Sequence, residues 1–326
     1  MIHFVATRDH RYTLRGLRKR SFGQVDFSHR LISYESVLRA RSLPGGTWIF
    51  LDIERLSDAE RRRVSLIACR LEQAGARVLN HPLRAAGRYA LQRRLYAAGI
   101  NDFETFRAEE RRLPQRWPVF VRFENDHHSP DARLLQDPAQ LQAVLDEYRA
   151  RGVPESSLLI VEYRGAPGDD GLWRKYAAFR VGDVIIQHHI VRQNSWVAKY
   201  GNREGIDGDE HWRRLRTEER DFVFTEGDPL NLMAAFEVGG IEFGRADFGI
   251  VDGKVQIYEI NTNPTLGVAP RDDDPFPELS RASLMEHSNA RIMAELAVLD
   301  RAVGTSARVA DINYIRSLPW RPAKRP

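Results

Sequence analysis

The stretch Phe243–Gly267, FGRADFGIVDGKVQIYEINTNPTLG, limits this chain more than any other. Two runs rich in apolar and β-branched residues flank Asp252-Gly253, a turn signal that predicts a β-hairpin. Arg245 and Asp247 lie on the first run, and Glu259 and Asn261 lie at the end of the second. Strand alternation puts each pair on one face. A strict two-residue loop pairs Val251 with Lys254 and sets Asp247 opposite Tyr258, with Glu259 on the other side. A three-residue loop, with Gly253 in a left-handed bulge position, shifts the pairing by one. Arg245 then faces Glu259, and Asp247 lies diagonal to it. We expect the odd loop, because it gives the two carboxylates a shared face.

On one face, like charges about 4 Å apart repel by roughly 4 kcal/mol at an effective dielectric near 20. Arg245 relieves that, or a hard divalent ion does. Mg²⁺ takes carboxylate and amide oxygens and commonly bridges to substrate phosphates, so Asp247, Glu259 and Asn261 suggest a metal–nucleotide site. The plainer alternative is a hairpin with solvated charges on its outer face.

The run resembles the metal-binding core of the ATP-grasp superfamily, most closely its D-alanine–D-alanine ligase branch. There one strand carries Arg-x-Asp and the return strand ends in Glu-x-Asn-x-Asn-Pro. Here those residues are Arg245, Asp247, Glu259, Asn261, Asn263 and Pro264. The resemblance spans roughly residues 80–300, with its specific motifs in 243–267. It implies an α/β fold with α+β lobes, in which an N-terminal open α/β lobe precedes two lobes that enclose ATP. The expected divisions are 1–85, 86–187, 188–302 and a basic tail at 303–326.

Composition fits that expectation. The 326 residues are 42% hydrophobic and 29% charged, as in an ordinary globular protein. One cysteine, Cys69, rules out a disulfide framework and fits a reducing compartment. No stretch reaches the roughly 18 apolar residues of a membrane span, and no signal-peptide core follows Met1, so a cytoplasmic location is expected. Residues 1–45 hold nine Lys/Arg against three acids, and residues 301–326 six against one. Basic arms can bind nucleic acid, but no stacking aromatics are interleaved with them, and nucleic acid is not the expected partner.

Along the chain, 2–6 and 47–53 read as buried strands, and Tyr34–Arg41 as a helix. Ser57 with Glu60 forms a capping box ahead of a helix with Val64, Ile67, Ala68 and Leu71 on one stripe. A strand at 76–79 and a helix at 85–98 follow. Strands at 118–122 and 158–162, a hairpin about Gly182-Asp183, a helix at 229–240 and a helix at 279–302 complete the pattern. Gly201–Arg214 reads as a mobile loop able to cover a nucleotide, and the tail beyond 303 carries no pattern.

The resemblance assigns further residues. Arg122 stands where the family has a phosphate-binding lysine, and Lys199, in Ala-Lys-Tyr, matches another. Glu162, Tyr163 and Arg164 match the hinge that holds adenine, and Asp170 (or Asp169) is placed to reach ribose. Arg180 is expected at phosphate, and Arg192, Asn263 and Thr265 at substrate. The family's glycine-rich loop is missing: residues 124–133 contain no glycine but hold His127 and His128. Of His188 and His189, one is expected in the core and the other in the cleft. The implied cofactors are ATP and Mg²⁺ (or Mn²⁺). The implied chemistry joins a small-molecule or peptide carboxylate to an amine through an acyl phosphate, with Arg245 as the oxyanion-stabilising catalytic residue. A small-molecule kinase and a non-catalytic nucleotide-binding module are the alternatives. Oligomeric state is silent, a homodimer being compatible with the sequence.

Overall fold

The computed structural model describes residues 1–14, 16–17, 27–125, 133–197, 206, 208–266, 274–302 and 310–317. The first lobe contains β1 (Ile2–Ala6), β2 (His29–Ser33), β3 (Ser42–Leu43), β4 (Thr47–Phe50) and β5 (Arg77–Leu79). Four of these form a parallel sheet in the order β2-β1-β4-β5. The central strand β1 is buried along its whole length, as an inner strand of a parallel sheet must be. The helix Asp58–Gln73 begins with both halves of the Ser57–Glu60 capping box and buries Val64, Ile67, Ala68 and Leu71. The expected patternless tail needs correction. Ala310–Asp311 forms β13, which pairs antiparallel with β3, and Ile312 and Ile315 join the first lobe's core.

The second lobe is a small antiparallel sheet of β6 (Thr105–Arg107), β7 (Val119–Phe123) and β8 (Leu158–Glu162), ordered β6-β8-β7. One face packs Val119, Val121, Leu158 and Ile160 on Leu141, Val144 and Tyr148 of the helix Pro138–Ala150. Alternation turns Leu159 and Val161 to the opposite face, beside Phe103.

The third lobe holds β9 (Trp173–Val181), β10 (Val184–Gln193), β11 (Phe243–Val251) and β12 (Lys254–Asn261), all antiparallel in the order β10-β9-β11-β12. The division drawn at 187/188 falls inside β10. One face of this sheet buries Ala178, Ile185, Ala246, Phe248, Ile257 and Ile260 in a core shared with the helix Leu232–Gly239. On the other face, Phe179 and Ile186 meet Ile292 and Leu296 of the long helix Arg281–Ala302. The segment read as a loop through Arg214 is helical from Asp209 to Val223. Its stripe of Trp212, Leu215 and Val223 is buried, which offsets the unfavourable glycine and charge content before it.

Candidate functional site

Asp247 stands directly opposite Glu259, and Arg245 directly opposite Asn261. The shared face is as expected, but the device that creates it is not. The loop is the strict two-residue one: Val251 pairs with Lys254, and Asp252 and Gly253 have φ of 52° and 76°. Positive φ at both central positions is the type I′ turn that suits hairpin twist. The register shift occurs further along, between Asp247 and Phe248, where Tyr258 is extruded as a β-bulge. Gly249 makes room for it. A Cβ at 249 would collide with Tyr258 Oη, so the ring sits where a side chain would otherwise be. The hydroxyl donates to the Arg164 carbonyl at 3.2 Å.

The opposite edge strand carries a second bulge in line with the first. Gln187 pairs with Ala178 and His189 with Ala177, leaving His188 as the extra residue. Ala177 in turn pairs with Asp247. One row thus crosses the sheet as His189, Ala177, Asp247, Glu259, with all four side chains on the same face.

Cations crowd the carboxylates. Glu259 Oε2 lies 2.9 Å from Arg88 and 3.5 Å from Arg122. Asp247 accepts from Arg245 Nε at 2.8 Å and lies 3.4 Å from Lys175 Nζ. Burial pushes the Glu259 carboxyl up, but Arg88, Arg122 and Lys175 outweigh it and hold the group at about 2. Burial alone would lower the Arg245 pKa; Asp247 overcomes that and raises it.

Asp247, Glu259, Arg88, Arg122 and Lys175 line a cavity of about 390 Å³ between the second and third lobes, and Arg245 stands behind Asp247. The same cavity is also lined by Phe103, Phe120, Val161, Tyr163, Trp196 and Tyr258. An aromatic-lined cavity that also holds a cluster with surplus positive charge suits an apolar ring joined to a polyanion.

The remaining candidates divide. Arg122 and Tyr163 line this cavity; the Tyr163 hydroxyl accepts from Trp173 Nε1 at 2.8 Å. Glu162 lines it too, but its carboxylate is fully engaged. It accepts from the backbone N–H groups of Glu104, Gln115 and Arg116, which pins the approach to the hinge. Arg164 reaches Asp252 at the hairpin turn, 2.7 Å away, tying the hinge to the third lobe. Asp170 is held bidentate by Arg174, which depresses its pKa to about 2, and it does not line the cavity. Arg180 is turned away, donating to the carbonyls of Gly182 and Ile241. Arg192 is buried against Glu218 and Glu219. Asn263 knits the hairpin's end to the first lobe, accepting from Thr13 Oγ1 at 2.6 Å and donating to the His10 carbonyl. Asn261 Oδ1 accepts from the Asn263 N–H at 2.8 Å. Thr265 is exposed. Lys199, His127 and His128 lie outside the described residues.

Sequence inspection missed Lys175 and Arg88. Lys175 was within reach, since alternation along β9 places it on the same face as Ala177. Arg88 carries no such signal, being one of several arginines in the helix Arg88–Ala97.

No protein-family model matches the chain, and no curated protein matches it. Among solved structures, a D-alanine–D-alanine ligase from Bacillus anthracis is similar at a TM-score of 0.50 and 12% identity, over 93% of this chain and 97% of that one. The ATP-grasp ligase PsnB, complexed with a minimal precursor, has a TM-score of 0.48 and 13% identity, over 92% and 98%. A RimK domain ATP-grasp protein from Sphaerobacter thermophilus has 0.42 and 15%, over 87% and 97%. At such identities likeness speaks of fold alone, and the first of the three carries it: the fold is the ATP-grasp fold.

Proposed function

We propose that this protein is an ATP-dependent ligase that joins a carboxylate to an amine through an acyl phosphate, with Mg-ATP held between its second and third lobes. One observation carries the proposal: Asp247 and Glu259 are opposed across two strands and line a cavity that is also lined by aromatic rings. The donor set suits Mg²⁺, or Mn²⁺. Two carboxylates, Glu259 of them held ionised well below neutrality, stand beside the amide of Asn261, and hard cations prefer such oxygens. Bound there, the ion neutralises phosphate charge and orients the terminal phosphoryl group.

The chain's own side chains do the rest. Arg122, Arg88 and Lys175 face the position of the phosphates, where catalysis is mainly positioning and charge stabilisation. On phosphate binding their contacts to Glu259 and Asp247 are shared with the ligand rather than broken outright. The aromatic lining of Phe103, Phe120, Tyr163, Trp196 and Tyr258 takes the base and excludes water. Arg245, already oriented by Asp247, stabilises the oxyanion that forms when the amine attacks the acyl phosphate. No nucleophilic side chain is needed. The substrates in this reading are small-molecule or peptide carboxylates and amines.

The test compares the wild-type protein with Glu259→Gln in Mg-ATP and a pool of amino acids, dipeptides and small carboxylic acids. ADP and phosphate released in equal amounts, by the wild type alone, is the expected result. ADP without matching phosphate would mean a kinase. Full turnover by Glu259→Gln would remove the metal assignment and the proposal with it.

A further inference from the structure

We propose that His189 is the general base that takes the proton from the attacking amine, and that Asn289 and His188 set its tautomer. The inference rests on the ligase reading above and names a residue for its second step. It starts from the row across the third lobe's sheet. Neighbouring strands lie about 4.8 Å apart, so His189 stands roughly 10 Å in backbone distance from Asp247, with only the Ala177 methyl group between them. Ala177, itself fully buried, puts no long side chain between the carboxylates and the imidazole. The bulge at His188 is what brings both rings to this face. Unbroken alternation would send successive side chains to opposite faces, yet here the two rings lie 4.9 Å apart and in hydrogen-bond contact.

The contacts define one direction for the protons. His188 is buried between the Phe179 ring and the helix Arg281–Ala302, where its Nε2 meets Asn289 Oδ1 at 3.4 Å. An amide oxygen only accepts, so His188 Nε2 carries the hydrogen and its Nδ1 holds a lone pair. That lone pair faces His189 Nδ1 at 2.6 Å, so His189 donates there. His189 Nε2, on the far edge of the ring, is then left unprotonated. His188 is 1% exposed and Asn289 2%, whereas His189 as a residue is half-buried. The arrangement follows the logic of catalytic triads, in which a buried partner fixes the tautomer of the working imidazole.

The electrostatic surroundings favour a neutral ring in the empty site. Burial, His188, and the cations Arg245, Arg281 and Lys175 all oppose a positive charge on His189. Nucleotide and acyl phosphate bring negative charge to the same cations, so proton uptake becomes easier when substrate is present. In the step itself the amine nitrogen bonds to the acyl carbon, and the carbon–oxygen bond to phosphate breaks with its electron pair leaving on phosphate. The surplus amine proton passes to His189 Nε2, and the imidazolium later returns it to phosphate or water.

Two measurements test this. In full-length protein labelled with ¹⁵N-histidine, long-range ¹H–¹⁵N spectra should show His189 as the Nδ1-protonated tautomer and His188 as the Nε2-protonated one, with His189→Gln assigning the signals. A His189 protonated on Nε2 would mean that Asn289 donates through its amide nitrogen, and it would overturn the proposal. The second measurement uses the substrate pool with and without hydroxylamine, a nucleophile that traps acyl phosphates without needing a base. In His189→Gln, amide formation should fall by about 100-fold or more while hydroxamate formation changes by less than about threefold. Equal losses in the two assays would overturn the proposal while leaving the ligase reading intact. Failure of the wild type to form ADP or hydroxamate from any carboxylate would instead overturn the ligase reading, and the tautomer spectra separate the two failures.

Discussion

Two clusters of acids and basic groups form around the third lobe's sheet, and they are built to opposite ends. At the cavity, Asp247 and Glu259 meet four cations, Arg88, Arg122, Lys175 and Arg245. Against the helix Asp209–Val223, the carboxylates of Asp170, Glu218, Glu219 and Asp274 meet four guanidiniums, those of Arg174, Arg192, Arg216 and Arg281. The second cluster is balanced, and its centre, Glu219, is fully buried. The first has a surplus of positive charge and opens on a cavity. Buried charge is costly unless paired, so a closed network tends to neutrality. An unbalanced one is poised for an anion. Charge balance, not the presence of arginines, separates architecture from a binding site here.

That comparison is best broken at its two centres. Glu259→Gln should reduce turnover by about 10³-fold or more while circular dichroism shows an unchanged fold, since the proposed metal ligand is lost and no core is disturbed. Glu219→Gln should do the reverse, destabilising the protein by about 3–5 kcal/mol in urea unfolding, because three arginines lose a buried counter-charge. Turnover lost without loss of stability in Glu219→Gln would erase the distinction.

Acid should act on the histidine row before it acts on the carboxylates. Burial and Arg245 lower the His188 pKa from 6.5 to about 3. The unfolded chain therefore binds a proton that the folded one refuses, and stability falls as pH drops below 6.5. His188 alone should cost about 2 kcal/mol between pH 6.5 and 5. Glu259 has the opposite charge type: its contribution is present above 4.5 and is lost only as pH falls from there towards about 2. Urea midpoints at pH 7, 5.5 and 5 should show the histidine effect in wild type, and a flat profile would refute it. Lys175→Met should weaken Mg-ATP binding about tenfold by calorimetry, roughly 1.5 kcal/mol for a charged hydrogen bond. Smallest of all, Arg164→Ala breaks a pair with Asp252, which is 77% exposed, and should change stability by less than about 1 kcal/mol in thermal unfolding.

Much of the fold was legible because its signals are local. The Asp252-Gly253 turn, the Ser57–Glu60 capping box and the helix stripe of Val64, Ile67, Ala68 and Leu71 depend on residues a few positions apart. Of the candidate residues, Asp247 and Glu259 share a face, Arg245 stands opposite Asn261 rather than Glu259, and Arg122, named through the resemblance alone, lies 3.5 Å from Glu259. Arg180, Arg192 and Asp170 looked equally suitable in sequence, yet the Ile241 carbonyl occupies the first, Glu219 on a packed helix the second, and Arg174, four residues along, the third.

The sequence by itself therefore determined the hairpin, the place of its turn at Asp252-Gly253 and the residue types available for metal and phosphate, but not the length of the loop. Backbone sterics and alternation act over a handful of residues, and they need no partner. The tertiary structure alone decided that Asp247 faces Glu259, because Tyr258 leaves the ladder only where Gly249 on the facing strand and Arg164 at the hinge receive it. It likewise decided that His188 and His189 turn towards each other, since Asn289 comes from a helix a hundred residues later in the chain. A one-residue shift in register reverses every face beyond it, and what fixes that shift lies on another strand.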